Sequence, residues 1–311
     1  MKINKIEDLN RCLEGRDLYI LGSGPALNEL TTNEIEFLGN QFTIGVNRVQ
    51  YIIDVDLFLS AYAKEVLSAS NKLGANSTLV HLRSNYGSSV VSDAFAVKRR
   101  MPNVFETFPR AIDGENPEIV TRKNVLFAAL SLALVMKPKR VFLYGFEQRN
   151  LLHFFDLNES LKKEIFLDYV AMYSSSPSIF TVDKPNFDFY SFCKNFLRDK
   201  EELEKQSFYD VDHTEMLKIF FAQIRDEGIE VMSSVRDSVA VDAGAIYAPI
   251  GHADFYSSIS PSASKLEVKR LSYLSAWVKS LRHTQTFEAY KGKTFRVIPR
   301  PLKNMIKKIL K

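Results

Sequence analysis

The sequence predicts an α/β protein built on a mostly parallel, doubly wound sheet. Three observations carry that expectation. Short apolar runs alternate with segments of helical periodicity along most of the chain. Those runs are apolar throughout rather than alternating, as expected of strands covered on both faces. The 311 residues are 46% hydrophobic and 25% charged, an ordinary balance for a folded chain large enough to bury a substantial core.

In chain order, Ile3, Ile6, Leu9 and Leu13 suggest a first helix closed by Gly15. DLYIL (17–21) reads as a strand, and GSGPALNEL turns from it directly into a second helix. FTIGV (42–46), DLFLS (56–60) and TLVHL (78–82) read as further strands. VLFAALSLALVM (125–136) is a helix apolar on every side and so buried on most of them. RVFLY (140–144) is a strand entered through Pro138 and left at Gly145. HTEMLKIFFAQIRDEG (213–228) is a helix with a glycine stop, and IEVMS (229–233) a strand.

Residues 151–206 break this rhythm. They are rich in Phe and Tyr, contain no glycine, and read as a mainly helical insertion or lid over the C-terminal ends of the strands. SKLEVKRLSYLSAWVKSLRH (264–283) has the pattern of an amphipathic helix. The organisation expected is a core of 1–150, an insertion of 151–206, a completion of the core in 207–260 and C-terminal helices in 261–311.

Net charge is +4, but residues 291–311 hold eight basic side chains and no acid, leaving the other 290 residues at −4. Within 299–311, Leu302, Met305, Ile306, Ile309 and Leu310 share one helical face and lysines take the other. Such a helix suits an anionic membrane surface. The alternative is a helix docked on the body with a solvated lysine face. Nucleic acid is not expected as a partner, because the acidic body does not continue the basic patch. No run approaches the roughly 20 apolar residues of a membrane-spanning helix, and the charged start MKINKIEDLNRCLEG is no secretory signal. Cys12 and Cys193 make neither a disulfide framework nor a zinc site and read as reduced thiols.

Five groups of residues have the chemistry to form a site. Gly22-Ser23-Gly24-Pro25, between strand and helix, is either a ligand loop or a tight turn; it lacks the third glycine of the dinucleotide fingerprint. Asn47 ends a strand, where an amide can read a base or ribose or cap a turn. Asp54-Val55-Asp56 resembles a metal-binding Asp-x-Asp but precedes its strand, away from the crevice. Gly145, Glu147 and Arg149 follow a strand and either line the crevice, with Arg149 or His153 able to neutralise a phosphate, or form a surface turn. His213, at a helix start behind Asp210 and Asp212, suits a general base or a helix cap. His81, His252 and His283 have no comparable sequence neighbours.

In order, G-S-G-P-A-L after the first strand, Asn47 after the second, the long apolar helix, G-F-E after strand 140–144, an insertion and Y-x(3)-H before a helix resemble the bacterial lipo-oligosaccharide sialyltransferases. Related groups are the nonulosonate and 3-deoxy-octulosonate (Kdo) transferases and the motility-accessory-factor glycosyltransferases. The resemblance spans roughly residues 16–260. It implies a Rossmann-like, modified GT-A core and an inverting transferase. That enzyme would use a CMP-activated sugar donor, no metal and no other cofactor.

On the same resemblance, His213 would deprotonate the acceptor hydroxyl. Gly22, Ser23, Gly24, Asn47, Asn124, Gly145, Glu147, Arg149 and Ser238 would line the nucleotide and donor site. The acceptor would be a glycolipid or oligosaccharide, reached from the cytoplasmic face of the membrane, and the protein could form a homo-oligomer. The chain departs from the family's usual residues at Ser23 (Asn), Ala26 (Ser), Glu147 (Asp) and Arg149 (Tyr). Lys123-Asn124-Val125 stands where the family has Thr-Ser-Gly. Kdo or another ulosonic acid therefore fits the donor as well as sialic acid does. Two other readings stay open: a metal-dependent, diphosphate-using transferase or pyrophosphokinase working through Asp54 and Asp56, and a non-catalytic membrane-surface module.

Overall fold

The computed structural model describes residues 3–84, 89, 91–100, 108–121, 125–147, 149–206 and 211–250, without the side chains of 211–213. Asn124, the 264–283 helix and the basic segment 299–311 lie outside the described residues, as does the side chain of His213.

The described strands are β1 (Asp17–Leu21), β2 (Phe42–Val46), β3 (Leu57–Ser60), β4 (Thr78–Arg83), β5 (Ala94–Arg100), β6 (Glu118–Val120), β7 (Arg140–Tyr144), β8 (Glu230–Ser233) and β9 (Ile246–Tyr247). They form one sheet in the order β6-β5-β4-β3-β2-β1-β7-β8-β9. Every pairing is parallel. The chain builds outward from β1 to β6, then returns to the other side of β1 as β7. The order therefore reverses between β1 and β7, and the crevice outside their C-terminal ends is where ligands bind in open sheets of this kind.

Alternate residues feed two cores. Leu18, Ile20, Val141 and Leu143 join a cluster with α3 (Val125–Met136), α8 (Val211–Asp226) and α9 (Val239–Asp242). Tyr19, Leu21, Phe142 and Tyr144 face the opposite layer, made by α1 (Thr32–Gly39) and α2 (Ala63–Lys72) with α4 (Glu159–Ser175), α5 (Ser178–Thr181) and α6 (Phe189–Phe196). A further short helix, α7 (Lys200–Glu204), follows. All twelve residues of α3 are buried, in keeping with its apolar sequence. The doubly wound parallel sheet is thus the architecture observed.

The insertion is helical as expected. Most of its aromatic side chains form a packed layer, Phe166, Tyr169, Phe180 and Phe189 being buried in the same core as α2 and the sheet, while Tyr190 is exposed. Cys193 is buried there and Cys12 half-buried elsewhere, both as free thiols.

Two expected helices differ. Residues 3–13 contain only a 3₁₀ turn, Ile6–Leu9. GSGPALNEL makes a 3₁₀ turn, Pro25–Glu29, that ends at a non-helical Leu30. The α-helix starts afresh at Thr32 because Thr31 and Glu34 cap its N-terminus reciprocally, with Thr31 N–H donating to Glu34 at 2.7 Å. Helix α2 and strands β5, β6 and β9 carry weaker patterns and were not anticipated. AFAVKRR in β5, one strand from the sheet edge, is mostly half-buried and ends in three basic residues.

Candidate functional site

Two loops meet over the point where the strand order reverses. Gly22 N–H donates to the Tyr144 carbonyl at 2.7 Å and Gly24 N–H to the Gly145 carbonyl at 2.8 Å. The approach demands glycine: a Cβ on Gly22 would lie 2.3 Å from the Gly145 carbonyl oxygen. Gly145 itself has φ +71°, a left-handed conformation that glycine adopts freely. From sequence, Gly22–Gly24 is either a ligand loop or a tight turn. Both glycine N–H groups are bonded to the end of β7, so the glycines join two loops here and do not present those donors to solvent.

Glu147 completes the junction. One carboxylate oxygen, Oε1, accepts from Ala26 N–H at 2.7 Å, in the first turn after the glycines. A carboxylate of the chain thus stands where a helical turn would attract an anion. The other oxygen, Oε2, is buried and has no hydrogen-bond partner among the described residues. Desolvation outweighs the backbone donors and raises this carboxyl above its ordinary range.

Around this junction lie the other residues singled out from sequence. Asn47 follows β2 with φ +60°, a conformation Asn tolerates better than most residues. Its N–H donates to Leu59 O at 3.3 Å. Neither the Asn47 amide nor the Ser23 hydroxyl has a side-chain partner among the described residues, and both are half-buried.

The insertion begins beside the glycine loop, since Phe154 N–H donates to Ser23 O at 3.0 Å. His153 precedes it, stacked on Phe155 with its Nδ1 3.5 Å from Asp156. Arg149 is not a free cation. Its guanidinium reaches Asp237 at 2.9 Å and Asp242 at 2.5 Å, so its charge is already met.

Ser238 is fully buried. Its Oγ caps α9 by accepting from Val241 N–H at 3.3 Å and lies 3.0 Å from Ser233 Oγ. That is a positioning role: the next residue, Val239, donates its N–H to Glu147 O at 3.1 Å and ties the loop after β8 to the junction.

The backbone of His213 lies in the first turn of α8. The far end of this helix is held at the N-terminal edge of the sheet, where Glu227 pairs with Lys137 at 3.0 Å. At about 1.5 Å per residue, His213 stands roughly 20 Å away, at the C-terminal edge. Asp56 lies at the opposite edge, where its carboxylate accepts from Thr43 N–H at 2.9 Å. Among the described residues, no three His, Cys, Asp or Glu side chains group as a metal site, and no helix is long and apolar enough to cross a membrane.

Two polar clusters on the same edge had no sequence signal, because each is assembled across the fold. Arg48, directly after Asn47, donates from Nε to Tyr169 Oη at 2.8 Å and pairs with Glu65 at 3.4 Å. Tyr169 in turn donates to Glu65 at 2.6 Å. The guanidinium lies 5.0 Å over Phe155 and 5.5 Å over Phe196. Burial and Glu65 push the Tyr169 phenol far up, so it stays protonated.

The second cluster corrects the reading of His81. Its fully buried ring lies 3.2 Å from Asp183 through Nε2 and 3.2 Å from Ser89 through Nδ1. The other Asp183 oxygen caps α2 at Ala63 N–H, 2.6 Å away. No protein-family model and no curated protein matches the chain.

Proposed function

We propose that the chain is an inverting, metal-independent glycosyltransferase that moves an ulosonic-acid sugar from a CMP-activated donor to a glycan acceptor. One observation supports this reading most. Residues selected from separate stretches of sequence — Ser23 after β1, Asn47 after β2, Glu147 after β7 — converge on the C-terminal edge around the β1/β7 reversal. Nucleotides bind at that position in such sheets. The Asn47 amide and Ser23 hydroxyl, without side-chain partners among the described residues, supply groups to read a nucleoside. The unpartnered oxygen of Glu147 suits a hydroxyl or amino donor on the ligand. The choice of CMP rests on the family resemblance.

In this reading the acceptor oxygen attacks the anomeric carbon as the bond to the phosphate oxygen breaks. CMP leaves with the bonding pair, and the acceptor proton passes to His213. General-base assistance of this kind contributes about 10²–10⁴-fold. The 299–311 segment would hold the enzyme at an anionic membrane surface near a lipid-anchored acceptor, on the cytoplasmic side.

The test is CMP release from CMP-sialate and CMP-Kdo in EDTA. His213→Ala should lower turnover at least about tenfold with CMP binding retained. Full activity of that variant would remove His213 as base, and activity only with magnesium would overturn the metal-independent mechanism. A non-catalytic nucleotide-fold module is the second reading, favoured by one observation: the Gly22, Gly24 and Ala26 N–H groups are all bonded within the chain.

A further inference from the structure

Lys64 occupies an unusual position for a cation. It is the second residue of α2, in a helical first turn that favours negative charge. The residue is only 7% exposed. Its ammonium takes no ion pair and makes no hydrogen bond to any described residue. What surrounds it is aromatic: the Tyr62 ring centroid at 4.0 Å, Phe192 at 5.6 Å and Phe187 at 6.0 Å.

The charged groups around it are engaged or of like sign. Glu65 is held by Arg48 and Tyr169, and Asp183 by His81 and the Ala63 N–H. Arg48 and Lys184 are cations that disfavour its charge. Burial pushes the amine down to about 8. Native structures rarely keep a largely buried cation without an acceptor; among the described residues this ammonium has none, and its tip is not sealed from solvent, so an anionic ligand can reach it.

Its place on the edge says which ligand. Asn47 is bonded to Leu59 at the end of β3, and α2 begins at Ala63, so Lys64 is one strand removed from the nucleotide-reading position. Tyr62 presents its ring to solvent at 48% exposure. An ammonium beside an exposed aromatic face matches a ring with an apolar C–H face and one oxyanion substituent.

We propose that Lys64 and Tyr62 form a subsite for an acidic sugar, the ammonium taking its carboxylate and the tyrosine its C–H face. The inference builds on the transferase reading and names what distinguishes its sugar: a carboxylate read by Lys64.

The experiment measures the affinity of the full-length protein for N-acetylneuraminate, its methyl ester, inorganic phosphate and CMP, by calorimetry or ligand-observed NMR. The free acid should bind about tenfold or more tightly than the ester, the worth of one charge-assisted hydrogen bond. Lys64→Met should abolish that difference and leave CMP affinity unchanged. Tyr62→Ala, at an exposed position that does not endanger folding, should weaken acid and ester alike. Equal binding of acid and ester, wild-type discrimination in Lys64→Met, no binding of the acid, or binding of phosphate in place of the acid would each overturn the subsite. Lys64-dependent acid binding without CMP binding would overturn the nucleotide reading and keep the subsite; CMP binding without acid discrimination would do the reverse.

Discussion

Glu147 and Ala26, 121 residues apart in sequence, are joined by a 2.7 Å hydrogen bond from the Ala26 N–H to Oε1 of the carboxylate. The bond locks the loop after β1 to the loop after β7 across the reversal of strand order. Oε2 of the same carboxylate is buried without a partner among the described residues, so the junction is held by a group that carries an electrostatic cost.

That cost sets a pH dependence. The folded-state carboxyl titrates above its unfolded value, mainly through desolvation. Between those values the folded chain binds more protons, so this group's contribution falls as pH rises. Glu147→Gln should therefore be more stable than wild type at pH 7, and the difference should vanish as pH falls below about 4, the ordinary carboxylate range. Urea unfolding at both pH values checks it. A wild type more stable than the variant at pH 7 would show that the carboxylate is satisfied.

Gly24→Ala should destabilise by about 1–3 kcal/mol through overpacking. The added Cβ would fall 2.6 Å from the Gly145 carbonyl oxygen and closer still to Glu147 Oε2. Combining it with Glu147→Ala should cost less than the sum of the single changes, since one of the two clashes disappears. Additive losses in denaturant unfolding would show that the two residues are not coupled.

Glu65→Ala should cost about 3–5 kcal/mol, because it leaves the largely buried Arg48 guanidinium without its carboxylate. Tyr169→Phe should cost less, about 1–3 kcal/mol, the price of unmet hydrogen bonds. Chemical denaturation of the two variants ranks them. Equal, small effects would mean that the ring contacts of Arg48 alone satisfy it.

Lys64→Met should stabilise the protein at pH 7 by about 1–3 kcal/mol. The amine titrates near 8 in the folded chain and about 10.4 when unfolded. In that window the unfolded chain binds more protons, so wild-type stability rises with pH and the gap to the variant should close by about pH 10.5. A gap independent of pH would show that packing, not charge, causes it.

The sheet was legible because its strands are short, apolar and separated by glycine or helical patterns: 17–21, 42–46 and 140–144 match β1, β2 and β7 residue for residue. Helix α2 was not legible, since AKEVLSASNK buries a lysine and a glutamate as well as its apolar residues. Of the site, the glycines, Asn47 and Glu147 were visible as loops following strands. Arg48 with Tyr169 and His81 with Asp183 were not. Each pair is separated by more than a hundred residues and becomes a cluster only when the insertion packs on the sheet. Arg149 and Ser238 were visible as residue types, but Arg149's partners Asp237 and Asp242 come from the end of β8, and Ser238 caps α9 and meets Ser233 within its own loop.

The most direct test of the central claim is thermal unfolding with CMP, UDP, GDP or NAD, each in EDTA and in magnesium. A nucleotide at about 100 times its dissociation constant adds roughly 2.7 kcal/mol of stability. CMP in EDTA should raise Tm selectively, and Asn47→Ala should abolish the rise. A rise only with magnesium and a diphosphate, or with no nucleotide at all, would contradict it.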